Sequence, residues 1–205
     1  MKKDNIVFIW ILMAFIVFIS FYFDSELVKI ISLIRGDILN DFFMMITFLS
    51  NEIIVFSFLT ILFLWKEHKR KWILPLWFTI ALSVGISCLL KFAVQRLRPF
   101  QLGIVSTFPV LEKASHLVWN FSFPSFQAML VFCAIPLLSK KFPKFKNIWI
   151  IFAILVAFSR VYFGLHFVSD VIVGSLIGYV LGIIVIKTEK EHKFWNKIYN
   201  KIFKK

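Results

Sequence analysis

The 205-residue sequence predicts an all-α, polytopic membrane protein: a six-transmembrane-helix bundle with short interfacial helices. Three observations carry that expectation. Hydrophobic residues make up 60% of the chain and charged residues 17%, where a soluble domain averages about 45–50% and about 25%. The mean hydropathy is +0.86. The apolar residues are gathered into six runs, and the stretches between them alternate between many cations and few. The same composition excludes a disordered chain, a collagen and a disulfide scaffold.

A spanning helix needs about 20 mostly apolar residues. The first run covers residues 6–23 and ends in Phe21-Tyr22-Phe23 before Asp24-Ser25-Glu26, with no small-residue cleavage site, so it reads as an uncleaved first span. Residues 24–50 mix charge with Leu27, Ile30, Ile31, Leu33, Ile34, Phe42, Phe43 and Ile46, the pattern of one or two interfacial helices. The remaining spans are expected at about 53–65, 72–94, 124–138, 148–162 and 171–186. Gly174, Gly178 and Gly182 form a small-residue stripe on the last span, which permits close backbone approach to a neighbour within the bundle. Cys88 and Cys133 lie in apolar runs without ligand spacing and read as small core residues. The chain is expected to form a single membrane-embedded unit over 1–205, with its chemistry in about 72–186 and a basic cytoplasmic tail at 187–205.

Six spans place both termini on one side. Of 24 Lys and Arg, 17 fall on that side: Lys2 and Lys3, the 66–71 cluster, the 140–146 cluster and seven lysines of the tail. The other side has seven: Lys29, Arg35, Lys91, Arg96, Arg98, Lys113 and Arg160. Cation-rich loops stay cytoplasmic. The expectation is therefore a multi-pass plasma-membrane protein with cytoplasmic termini. The net charge of +13 follows from orientation, and the lipid bilayer, not nucleic acid, is the partner it implies.

Ionisable residues at the ends of apolar runs are costly, about 2.5–3.5 kcal/mol at mid-bilayer, and mark function or snorkelling. A lone Lys91 would be explained by snorkelling. The spacings taken together point elsewhere: Lys91, six residues, Arg98-Pro99; then Pro124-Ser125 opening a span; then Ser159-Arg160, five residues, His166, three residues, Asp170. The topology brings all three segments to the non-cytoplasmic face. Three cations there suit a phosphate, which Arg holds through paired hydrogen bonds. The opening of the fourth span offers unsatisfied N–H groups at 125–127, with Pro124 in its first turn and the Ser125 hydroxyl as a further donor. His166 and Asp170 are one helical turn apart if the backbone is helical. The carboxylate would then fix the imidazole tautomer and leave the other nitrogen as a nucleophile.

These three segments resemble the motifs of the type 2 phosphatidic acid phosphatase superfamily, which also contains vanadium haloperoxidases: K-x6-RP, PSGH and SR-x5-H-x3-D. The first and third are matched in full, by Lys91, Arg98 and Pro99 and by Ser159, Arg160, His166 and Asp170. The resemblance spans about 72–186 and implies a six-span lipid phosphatase that needs no metal and no cofactor. It implies that His166 forms a phosphohistidine, that Asp170 orients it, and that Lys91, Arg98, Arg160 and Ser125 bind the phosphate.

The second motif departs from the family, reading Pro124-Ser125-Phe126-Gln127 where the family has Gly and His at the last two positions. Phe126 adds bulk beside the phosphate. Gln127 can hydrogen-bond to a leaving oxygen but cannot protonate it, and general acid catalysis is worth about 10²–10⁴-fold. Three readings stay open. The substrate is a lipid diphosphate, such as a polyprenyl diphosphate, whose phosphate leaving group needs little protonation. Alternatively the protein is a phosphatidate or phosphatidylglycerophosphate phosphatase, or a phosphotransferase, using another acid such as the loop residue His116. Or it is a catalytically silent binder of lipid phosphates. His68 and His192 lie among the cytoplasmic lysines and read as surface residues. Oligomeric state is not encoded in any of these patterns.

Overall fold

The computed structural model describes residues 3–113 and 120–203, and all regular secondary structure among them is helical. The helices are α1 (Lys3–Ser32), α2 (Asp37–Leu49), α3 (Glu52–Leu64), α4 (Ile73–Val94), α5 (Pro109–Lys113), α6 (Phe126–Lys141), α7 (Lys146–Tyr162), α8 (Val168–His192) and α9 (Phe194–Phe203), with a 3-10 turn at Glu67–Trp72 before α4.

Helix α1 runs past the expected end of the first span at residue 23 and continues to Ser32. Asp24 does not end it, because that carboxylate is paired with Arg96 and Ser169 inside the bundle. The stretch 24–50, expected to hold one or two short interfacial helices, holds the last turns of α1 and then α2, whose Phe43 packs on Tyr162 of α7 at 4.7 Å between ring centroids. Helices α2 and α3 meet at an angle of 61° across Ser50 and Asn51. The Asn51 side chain caps α3 by accepting from Ile53 N at 3.0 Å.

Among the described residues two helical segments are long and apolar enough to cross a membrane, Glu67–Val94 and Val168–Glu191, and the bent α2–α3 pair makes a third if it is one span. Helices α6 and α7, at 16 and 17 residues, are shorter. Two to three of the six expected spans therefore stand on length and composition.

At the centre, α6 and α8 lie in close contact. A Cβ at Gly174, Gly178 or Gly182 would collide with the backbone carbonyl of Ser125, Met129 or Cys133 respectively. The glycine stripe is an intramolecular seam with α6, which leaves α6 buried along most of its length. The main apolar core joins α3, α4, α6 and α7 through Leu59, Phe63, Leu76, Leu130, Leu137 and Trp149.

One end of the bundle gathers the end of α4, the start of α6, the end of α7 and the start of α8. The opposite end holds the basic turns, where Lys69 lies 3.6 Å from the Phe142 ring centroid and Lys141 lies 4.1 Å from that of Trp72.

Candidate active site

His166 sits in the turn between α7 and α8 and is 1% exposed. Gly164, at φ +67°, allows the chain to reverse there. The amides of Leu165 and His166 both donate to the Arg160 carbonyl, at 3.0 and 3.2 Å, which ties the imidazole to the end of α7. The imidazole Nδ1 lies 3.5 Å from Ser122 Oγ and 3.7 Å from Asp170 Oδ2. The Ser122 hydroxyl donates to that same carboxylate oxygen. Hydrogen positions are assigned from this arrangement: Nδ1 carries the proton and points it toward Ser122 Oγ and Asp170 Oδ2, the Ser122 hydroxyl donates its own to Asp170, and Nε2 keeps its lone pair. Nε2 faces Arg98 Nη1 at 3.4 Å. Burial, and then the nearby Arg98 charge, lowers the His166 pKa from its usual value to about 3.

Asp170 does more than orient the histidine. Its Oδ2 accepts from the Phe167 amide at 2.8 Å at the start of α8, and its Oδ1 accepts from Arg96 Nη1 at 2.8 Å. Arg96 also donates to Asp24 Oδ2 at 2.8 Å and stacks over Phe167 at 3.9 Å. A chain of charges, Asp24–Arg96–Asp170, with both carboxylates buried and Arg96 partly exposed, therefore fastens α1 and the loop after α4 to α8.

The three motif cations come from three separate segments. Lys91, on the last turn of α4, donates to the Phe121 carbonyl and at 3.5 Å to that of Ser122. Arg98 donates to the carbonyls of Leu165 at 2.9 Å and Asn120 at 3.2 Å. Arg160 donates to Ser50 Oγ at 3.0 Å across the α2–α3 bend. Burial lowers the Arg98 pKa to about 10, so the guanidinium remains charged at neutral pH.

A cavity of about 1070 Å³ opens beside these groups. Lys91, Arg98, Phe126, Gln127, Arg160 and His166 all line it. Its remaining wall is largely apolar, with Met44, Phe48, Ile53, Phe56, Ile80 and Val84 from α2, α3 and α4. Phe48 and Ile53 are 68% and 75% exposed, so this wall reaches the outer surface of the bundle.

Two candidates stand elsewhere. Asp170 is fully buried behind His166 and Ser122, away from the cavity. Ser125 is also fully buried, its hydroxyl has no partner among the described residues, and it does not line the cavity. The helix it was expected to open starts at Phe126, so Pro124 precedes the first turn, and the Ser125 amide is occupied by the Asp170 carbonyl at 3.0 Å. Gln127 reaches across to α3, where its Nε2 donates to Glu52 Oε1 at 2.9 Å. His116 lies outside the described residues.

Sequence reasoning missed Ser122, Arg96, Asp24 and Glu52. Asp24 carried one usable signal, a carboxylate directly after an apolar run. The other three have no motif spacing of their own.

The PAP2 superfamily matches residues 72–194. An undecaprenyl-diphosphatase of Sulfolobus acidocaldarius is 29% identical over 193 residues, covering 88% of this chain and 90% of that protein. Among solved structures, a transmembrane PAP2-type phosphatidylglycerolphosphate phosphatase from Bacillus subtilis superposes with a TM-score of 0.71 at 24% identity, covering 94% of this chain and 98% of its own. Aquifex aeolicus LpxE superposes with a TM-score of 0.63 at 30% identity, covering 80% and 94%. With both complete motifs inside the matched region, and with this fold, the chain belongs to the PAP2 superfamily, among its membrane lipid phosphatases.

Proposed function

We propose that this protein removes the terminal phosphate of a membrane lipid diphosphate, a polyprenyl diphosphate being the best match, through a phosphohistidine on His166. One observation carries the reading: a neutral imidazole, held at Nδ1 by Ser122 and Asp170 and with Nε2 beside Arg98, lines a cavity that Lys91, Arg98 and Arg160 also line. Cations at that spacing stabilise the equatorial oxygens of a transferring phosphoryl group, a role that divalent metal ions fill in other phosphotransferases. The reaction is accordingly metal-independent. The apolar wall fits a lipid tail entering sideways from the bilayer.

The leaving group decides between substrates. Gln127 donates its amide to Glu52 and supplies no proton of its own. A phosphate monoester of a lipid alcohol must leave as an alkoxide unless protonated, whereas a diphosphate releases a stable phosphate anion. The 29% identity to an undecaprenyl-diphosphatase supports the same choice. In this reading the six-span topology puts the termini in the cytoplasm and the cavity at the outer leaflet of the plasma membrane. A second reading, lipid-phosphate binding without turnover, is favoured only by the absence of histidine at 127.

The test is a phosphate-release assay on purified protein in detergent with EDTA, offering a polyprenyl diphosphate, phosphatidate and phosphatidylglycerophosphate. Release from the diphosphate that is lost in His166→Ala supports the enzyme. Binding of all three without release by the wild type would establish the silent binder instead.

A further inference from the structure

Among the described residues that line the cavity Glu52 is the acidic one, and neither motif nor spacing singled it out. It opens α3, directly after the 61° bend with α2, and this bend turns the first residues of α3 toward the cavity that His166 and Gln127 also line. Its neighbour across the bend, Ser50, touches Arg160 at 3.0 Å. The carboxylate itself is held by Gln127, whose Nε2 donates to Oε1 at 2.9 Å. Glu52 is partly exposed, so water reaches it. A carboxylate on a wall otherwise suited to anions is unfavourable for binding phosphate, and its placement calls for a chemical role.

We propose that Glu52 is the proton acceptor for the water that hydrolyses the phosphohistidine, and that Gln127 positions it. The inference rests on the phosphohistidine reading above. In the first step, His166 Nε2 bonds to the terminal phosphorus, the bridging P–O bond breaks, and the lipid monophosphate departs with the bond pair. That step needs no proton from the protein. In the second, a water oxygen bonds to the same phosphorus and its proton passes to the Glu52 carboxylate. The P–N bond breaks, its electron pair returns to Nε2, and phosphate leaves as Glu52 gives up the proton. A residue that an amide cannot replace is thus supplied from a different helix.

The assignment predicts which step fails. Wild type, Glu52→Gln, Glu52→Ala and His166→Ala would be mixed with a polyprenyl diphosphate labelled in its terminal phosphate, quenched rapidly in alkali, and assayed for protein-bound label and released phosphate. In Glu52→Gln, one equivalent of label is expected to accumulate on the protein in a burst, while steady-state turnover falls by about 10²–10⁴-fold. Added formate, a carboxylate small enough for the vacated space, is expected to restore part of the turnover of Glu52→Ala. The proposal is overturned by turnover in Glu52→Gln within about threefold of wild type. It is equally overturned by slow turnover without accumulated label together with no formate rescue, which would mark Glu52 as a structural residue. Label absent from wild type and from Glu52→Gln alike, with the turnover of Glu52→Ala restored by formate, would instead sink the phosphohistidine reading beneath it.

Discussion

Asp170 accepts from Phe167 N, Ser122 Oγ and Arg96 at once, and its backbone carbonyl accepts from Ser125 N. A side chain with that many duties cannot be removed cleanly. Ser122 can, and it is the group closest to His166 Nδ1 on that side. Ser122→Ala is expected to lower kcat by up to about tenfold, the effect of one hydrogen bond of about 0.5–1.5 kcal/mol, and to change the melting temperature little. Arg96 shows the opposite balance. Replacing it by Met strands Asp24, which is 2% exposed, and Asp170, which is fully buried. Loss of about 3–5 kcal/mol is expected in detergent unfolding, the cost of leaving a buried charge unpaired. The depressed pKa of His166, about 3 through burial and then Arg98, adds a prediction about pH. Between about 3 and the unfolded value of about 6.5 the native state binds fewer protons at this site, so its contribution to stability is present above about 6.5 and is lost as pH falls through that window. The ¹⁵N shifts of His166, assigned by their loss in His166→Ala, should keep the neutral pattern at pH 5. An imidazolium pattern there would refute the assigned burial. At this scale the sequence exposed the residues with fixed spacing, Lys91, Arg98, Arg160 and His166. It concealed Ser122, Arg96 and Asp24, because a hydrogen bond between residues 48, 72 or 74 positions apart leaves no local pattern.

Among the helices, α8 and the α2–α3 pair illustrate what periodicity can and cannot reveal. The small-residue stripe at Gly174, Gly178 and Gly182 was visible as a close-packing face, but its partner α6 was not, since the stripe says only that some backbone approaches. Gly178→Val would drive a branched side chain into the Met129 carbonyl, a backbone atom that cannot swing away. A loss of about 1–3 kcal/mol or more is expected from thermal unfolding in detergent. Gly85→Ala, which meets nothing within 4 Å on α4, serves as the contrast and should be neutral or slightly stabilising. The bend between α2 and α3 escaped the sequence reading for a different reason. The mixture of charge with Leu27, Ile30, Ile31, Phe42, Phe43 and Ile46 over 24–50 suggested one or two interfacial helices, with no hint of a bend. In the folded chain α2 and α3 wall the cavity, and Ser50 and Glu52 at the break contact Arg160 and Gln127.

The whole molecule is polarised along its long axis. His166, Lys91, Arg98 and Arg160 gather at one end, and the lysine-rich turns at 66–71 and 140–146 meet at the other, where Lys69, Lys140 and Lys141 rest on Phe142 and Trp72. The cations of the two ends therefore differ in kind. Those at the basic end are numerous and free to meet water and anionic headgroups, while those at the site end are few and buried among carbonyls. Retention of exposed Lys and Arg on the cytoplasmic side predicts the orientation of the bundle, and with it the leaflet from which the substrate comes. Single cysteines decide the point, in a chain with Cys88 and Cys133 replaced by Ala. Leu102→Cys, in the exposed loop after α4, is expected to react with a membrane-impermeant maleimide in intact cells. Lys144→Cys, in the exposed turn between α6 and α7, is expected to react only after permeabilisation. The reverse labelling would place the cavity on the cytoplasmic leaflet: the chemistry at His166 would be unaltered, but the lipid diphosphate would have to be one presented from inside the cell.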